Sequence, residues 1–147
     1  MKKLLALALS LLLALPLFSA CAARAQEQSE EGYALYYLAD PDSAGGADAI
    51  AAAGKRYVPD ETMTTEECAR ALLEQLLAQP EEDSLRPPVP DGTTLQALTI
   101  SGRRARIDFS AQYGRLSGIE LSLADYCIAL TLTQIPDVNA VSITANG

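Results

Sequence analysis

Side chains able to do covalent chemistry are few in this 147-residue chain: three cysteines (Cys21, Cys68, Cys127), three lysines and no histidine. Without an imidazole there is no Ser-His-Asp or Cys-His relay, no His-ligated zinc and no His-held haem. A nucleophile would have to be a serine with Lys55 as its base, or a cysteine activated by a carboxylate. Lys55 stands beside Arg56 after the small, glycine-containing run 44–54, a setting for a solvated ammonium rather than a desolvated base. Cys68 and Cys127 fall on apolar helical stripes, where a thiol's pKa rises and its reactivity falls. They are either two buried free thiols or one disulfide. Asp40-Pro41-Asp42-Ser43 begins like a calcium loop, but Ala44 holds the fifth position and Ala51 the twelfth, where a bidentate glutamate is required. It reads as an Asp-rich turn. Glu81-Glu82-Asp83 reads as a solvated loop, and a domain this small leaves little room for a sugar cleft between paired carboxylates. The expectation is no catalytic residue, no metal and no cofactor.

Cys21 is the exception, because its chemistry is done to it. Met1-Lys2-Lys3 is a short positive segment, and Leu4 to Phe18 is an almost unbroken apolar run ending in Ser19-Ala20-Cys21. That run is short of the roughly 20 residues that span a bilayer and suits a signal-peptide core. Small residues directly before a cysteine resemble the bacterial lipobox, in which the sulfur takes a diacylglyceryl group and the cysteine becomes the new N-terminus. The reading is a signal peptide over 1–20, then a lipidated Cys21 and tether over 21–32, then a domain over 33–147. Plain secretion is the alternative, since Ala20-Cys21-Ala22 and Ala23-Arg24-Ala25 also satisfy the small-x-small cleavage rule. Two acyl chains would hold the domain on the outer face of the cell membrane essentially permanently. The tether, AARAQEQSEEG, is small, polar and partly acidic; it has nothing to bury and reaches about 35 Å when extended.

The formal net charge is −8, and cleavage before Cys21 removes two lysines and no acid, leaving −10. A strongly acidic body is a poor match for nucleic acid, whose affinity comes from Lys and Arg on phosphates. The partners to expect are envelope proteins, the membrane through the lipid anchor, and a second copy in a homo-oligomer.

The elements that would position any contact residue follow from periodicity and punctuation. Tyr33 to Ala39 is aromatic-rich and ends in the Asp40–Ser43 turn, giving a first strand. Ala44 to Gly54 reads as a flexible loop and Arg56-Tyr57-Val58 as a second short strand. Thr64-Thr65-Glu66-Glu67 fits a capping box, and Ala69, Leu72, Leu73, Leu76 and Leu77 form a helical stripe that Pro80 stops. Glu81 to Thr93 is a proline-rich loop. Leu95–Ile100 and Arg104–Phe109, joined through Ser101-Gly102-Arg103, form a hairpin. In its second arm Ala105, Ile107 and Phe109 alternate with Arg104, Arg106 and Asp108, one face buried and one wet. A second helix starts between Ser117 and Ser122 and runs to about Ile135, before Pro136, and Ala140 to Ala145 is the closing strand. The order β(β)-α-β-β-α-β describes a single small α+β domain, two helices packed on one face of a mixed or antiparallel sheet.

Two surfaces could meet a partner. Arg103, Arg104 and Arg106 are the one basic cluster, on the hairpin tip and outer face. The second helix carries one apolar stripe at Ala124, Cys127, Ile128, Thr131 and Ile135 and another at Leu123, Tyr126 and Leu130 on a different side. A helix apolar nearly all round is buried on both sides or presents a contact surface. We take Tyr126, Leu130, Arg104 and Arg106 as candidate contact residues.

In this order the motifs resemble the GerMN domain, the sporulation and spore-germination domain of bacterial lipoproteins. The likeness covers roughly Tyr33 to Gly147 as one copy. It rests on Leu35-Tyr36-Tyr37-Leu38, the helix Glu67 to Leu77, the loop Leu85-Arg-Pro-Pro-Val-Pro-Asp-Gly-Thr93, the strand Ala105 to Ser110, and Thr131-Leu-Thr-Gln-Ile-Pro136 before Val138-Asn-Ala-Val-Ser-Ile143. The resemblance implies a fold similar to a ring-building motif and a non-catalytic module that works by binding protein in sporulation or germination. The alternative is an extracytoplasmic lipoprotein that binds peptide or cell-wall glycan.

Overall fold

A computed structural model describes residues 31–42 and 48–147 of the chain; Cys21, the segment drawn at 1–20 and all but the last two residues of the tether drawn at 21–32 lie outside the described residues. The strand β1 (Tyr36–Ala39) alternates half-buried Tyr36 and Leu38 with buried Tyr37 and Ala39. It is paired antiparallel on both edges, by β2 (Ile50–Ala52) and by β3 (Leu85–Arg86), in the order β2-β1-β3. The second short strand therefore lies at Ile50–Ala52, inside the run read from sequence as a loop. Arg56-Tyr57-Val58 supplies only a single bridge, Tyr57 to Tyr33. Two N–H···O=C bonds of 2.8 and 2.9 Å close that bridge. Gly32 begins it at φ 101°, where a Cβ would lie 2.6 Å from the Tyr57 carbonyl oxygen, so only glycine fits.

The helix α1 (Thr65–Leu77) starts with the expected capping box: Thr64 Oγ1 accepts from the Glu67 N–H, and the Glu67 carboxylate accepts from the Thr64 N–H at 2.8 Å. It buries Cys68, Ala69, Leu72, Leu73 and Leu76. The strands β4 (Leu95–Ser101) and β5 (Arg104–Phe109) form the hairpin, turning on Gly102 and Arg103, both with φ near +60°. Positive φ at both central residues is the turn whose twist matches the flanking strands. A single helical turn, Tyr113–Arg115, leads into α2 (Gly118–Leu132), and β6 (Ala140–Ala145) returns parallel to β5. The second sheet is thus mixed, in the order β4-β5-β6.

The α+β class and the two helices in one small domain are as read from the sequence, but there are six strands rather than five, Leu85–Arg86 arising inside the run read as a loop, and they divide into two three-stranded sheets. The physical reason lies at β1. Both of its edges are taken by short strands, so it offers no free ladder to β4, β5 or β6. It is joined to the rest through α2 instead: the Tyr36 N–H donates to Thr131 Oγ1 (3.1 Å), and Gln134 brackets Ala34, accepting from its N–H (2.9 Å) and donating to its carbonyl (2.7 Å). Leu35, Tyr37, Leu72, Leu76, Leu98, Ile107, Phe109, Ile128 and Leu132 belong to one core that both sheets share with both helices.

The helix α2 departs from the expected caps. Ser117 is its N-cap but makes no side-chain capping bond, and the Ser122 hydroxyl donates to the Gly118 carbonyl instead. The helix ends at Leu132. Ile135 is buried just beyond it, in a turn closed by its N–H to the Leu132 carbonyl.

Candidate interaction surface

Along α2 the buried positions are Ala124, Cys127, Ile128, Thr131 and Leu132. The side chains 78% exposed at Ile119, 62% at Tyr126 and 40% at Leu130 lie on the opposite side, with half-buried Leu123 between them. Positions 119, 123, 126 and 130 follow i, i+4, i+7 and i+11, one stripe about 16 Å long at 1.5 Å per residue. No loop covers it among the described residues. The second apolar stripe is therefore surface, and Ile119 extends it by one turn. The i, i+4 spacing from Ile119 to Leu123 is the sequence signal for that extension.

The chemistry around the stripe is neutral. Between Gly118 and Pro136 the only charged side chains are Glu120 and Asp125. The Asp125 carboxylate is occupied, accepting a 2.6 Å hydrogen bond from the Tyr113 hydroxyl. Burial, then that bond, pushes the Tyr113 hydroxyl well above the ordinary tyrosine range. Tyr113 also stacks on Phe109 with ring centroids 4.9 Å apart. Asp125 is thus fixed by the core beneath it. Apolar side chains with few charges among them are the composition of an interface core.

Arg104 and Arg106 lie exposed on β5, on the face opposite buried Ala105, Ile107 and Phe109. Core contact with α2 is made from that buried face, so the structure does not bring the arginines together with Tyr126 and Leu130; they form two separate surfaces. Among the described residues neither arginine has an ion pair. The neighbouring Arg103 donates to the Pro136 carbonyl at 3.1 Å.

Cys68 and Cys127 are free and buried. Burial raises both thiols, Cys127 to about 12, so each is protonated at neutral pH and neither is a nucleophile. Lys55 pairs with Glu81 at 3.3 Å in full solvent exposure. Glu82 accepts the Gly54 N–H at 2.7 Å. The Asp40 carboxylate accepts the Asp42 N–H at 2.9 Å, the Asp-stabilised turn expected there. Among the described residues no group of three or more His, Cys, Asp or Glu side chains is placed to hold a metal ion, and no helix is long and apolar enough to cross a membrane. A groove of about 320 Å³ opens between the end of α1 and the first sheet. Leu35, Tyr37, Ala53 and Tyr57 supply apolar and aromatic wall there, and Gln79 and Glu82 supply polar groups.

The sequence matches the Germane family, sporulation and spore germination, over residues 34–147. No curated protein matches it. Among solved structures, the first GerMN domain of the sporulation protein GerM from Bacillus subtilis is similar at TM-score 0.59 and 22% identity, over 78% of this chain and 82% of that one. The tandem GerMN domains of the same protein align at TM-score 0.55 and 19% identity, over 78% of this chain and 39% of that one. A candidate lipoprotein from Clostridium perfringens aligns at TM-score 0.52 and 22% identity, over 78% and 73%.

Proposed function

Because this chain belongs to the Germane family of sporulation and spore-germination domains, we propose that it is a lipid-anchored envelope module that works by holding a protein partner rather than by catalysis. The observation that carries this is the outer stripe of α2. Three exposed apolar side chains, Ile119, Tyr126 and Leu130, with half-buried Leu123 between them, line an almost uncharged helix face in a chain whose net charge is −8. Burying such a stripe on a partner is favourable at about 25 cal/mol per Å², and Tyr126 is the kind of rigid aromatic that dominates interfaces. The partner is a protein of the sporulation or germination machinery presenting an apolar ridge. Cys21 carries the diacylglyceryl anchor, and the tether lets the domain reach a partner some tens of ångströms from the membrane. The similarity to a candidate lipoprotein supports the outer face of the cell membrane as the location. The GerMN fold is not known for enzymes, and the buried, protonated thiols supply no nucleophile.

The test is the double substitution Tyr126→Asp/Leu130→Asp. Both side chains face away from the core, so the domain keeps its melting temperature while proximity labelling from the anchored protein loses its strongest partners. Unfolding would mean that the stripe is core, and unchanged labelling would mean that it is idle. For the anchor, Cys21→Ala is expected to release the protein or block its maturation.

The groove beside α1 favours a second reading, an extracytoplasmic lipoprotein that binds peptide or wall glycan. Its 320 Å³ falls at the lower end of ligand-site volumes. That reading requires a saturable rise in melting temperature with one class of wall fragment.

A further inference from the structure

The β4-β5-β6 sheet has two edges, and they are built differently. The strand β4 carries a register break between Leu95 and Ala97, the kind of irregularity that protects an edge from pairing. The strand β6 follows β5 through six consecutive residue pairs without a break. Its sequence, Ala140-Val-Ser-Ile-Thr-Ala145, contains no charge, proline or glycine, so it lacks the usual devices against strand addition. No residue of β6 is fully buried, and among the described residues no strand lies beyond it. Alongside it runs a groove of about 280 Å³ against α2, lined by Tyr113, Leu121, Asp125, Ala129, Val141 and Ile143.

We propose that a second copy of this chain adds its own β6 antiparallel to this edge, joining two three-stranded sheets into one of six strands across a two-fold axis. The strand is self-complementary in that arrangement. Residues directly opposite one another share a face, so an axis through Ser142 sets Val141 against Ile143 twice on the groove side. On the other face Ser142 meets Ser142, and Ala140 meets Thr144. The groove gains two β-branched side chains from each neighbour. Charge permits the approach here although both copies are acidic. Asp108, in register with Thr144, is already bonded to the Thr144 hydroxyl (2.7 Å) and the Gly147 N–H (2.9 Å), and Asp125 is bonded to Tyr113. A six-residue strip about 20 Å long buries less than the roughly 800 Å² per partner of a standard interface. The pairing is therefore weak in dilute solution and strengthens wherever two copies are held close together.

Ser142→Cys in the full-length chain tests this directly. Opposed Cα atoms in an antiparallel ladder are about 4.5–5.5 Å apart, within disulfide reach, and the native Cys68 and Cys127 are buried. Under mild oxidation at rising protein concentration, Ser142→Cys should give at least tenfold more covalent homodimer than Thr99→Cys on the β4 edge. The double variant Ala140→Cys/Thr144→Cys probes the same register independently and should crosslink as well. Equal yields at the two edges would overturn the proposal, as would a Ser142→Cys adduct with a protein of different mass, which would mean that another chain occupies the edge.

Discussion

Replacing Gln134 by alanine should destabilise the domain by about 2–4 kcal/mol. The figure follows from what Gln134 does: its amide behaves as a one-residue strand, exchanging two hydrogen bonds with Ala34, a residue only 5% exposed. Removing it orphans one N–H and one C=O, each worth roughly 1–3 kcal/mol when left unpaired in the interior. Partial access of water to the gap brings the sum below the maximum. For a domain near this size the loss is a fall in Tm of roughly 10 °C. Gln134→Glu is the sharper perturbation, because the Nε2 also donates to the Leu130 and Thr131 carbonyls, both at 3.1 Å. A carboxylate there would face three carbonyl oxygens, so the folded state favours its protonated form and raises its pKa above the unfolded value of about 4.3. The variant is then closest to the parent below pH ~4 and loses stability as pH rises through the folded-state pKa. Urea unfolding followed by far-UV circular dichroism, parent against variant at each pH, measures both effects. A Gln134→Ala variant within about 0.5 kcal/mol of the parent, or a Gln134→Glu deficit that does not grow between pH 4 and pH 7, would refute the reasoning.

Cys68 and Cys127 should resist a chromogenic thiol reagent in the native protein at pH 8 and react together once urea is added; rapid native labelling or an oxidised pair would contradict their burial. Asp108 is held below the ordinary aspartate range by the Gly147 N–H and then the Thr144 hydroxyl. Its contribution to stability is present above the unfolded pKa and lost as pH falls through the folded value, so Asp108→Asn should soften the acid side of the stability profile, and a carboxyl titration by NMR should find a low midpoint. Thr64→Ala removes the capping oxygen of α1 and should destabilise by about 1 kcal/mol, with Thr64→Ser close to the parent; equal values for both would mean that the cap is idle.

Local signals carried most of the fold. The capping box of α1, the hairpin turn through Gly102-Arg103, the alternation along β5 and the end of α1 before Pro80 are each dictated by residues close in sequence, and each stands where the sequence placed it. The departures involve long-range partners. Ile50–Ala52 contains two alanines and becomes a strand only because β1 offers it an edge, which composition does not announce. Leu85–Arg86 joins the other edge of β1 from within a proline-rich loop for the same reason. The joining of the first sheet to the rest depends on Thr131 and Gln134 reaching Tyr36 and Ala34 from about 100 residues away. Of the candidate contact residues, Tyr126 and Leu130 are legible because one helix carries two apolar stripes. Whether the second stripe was covered depended on loop placement, which periodicity does not encode.

The bond between Ala34 and Gln134 also governs the order in which the chain can become protein-like. Synthesis delivers residues from the N-terminus onward, so Leu35 and Tyr37 emerge with their lateral partners, β2 and β3, but without the helix that locks them to the second sheet. Until residue 134 is free, about nine-tenths of the polypeptide must wait with its first apolar strand undocked. A factor that shields that strand during delivery, or delays release until the last helix is through, would protect the whole molecule from aggregation at its most vulnerable moment.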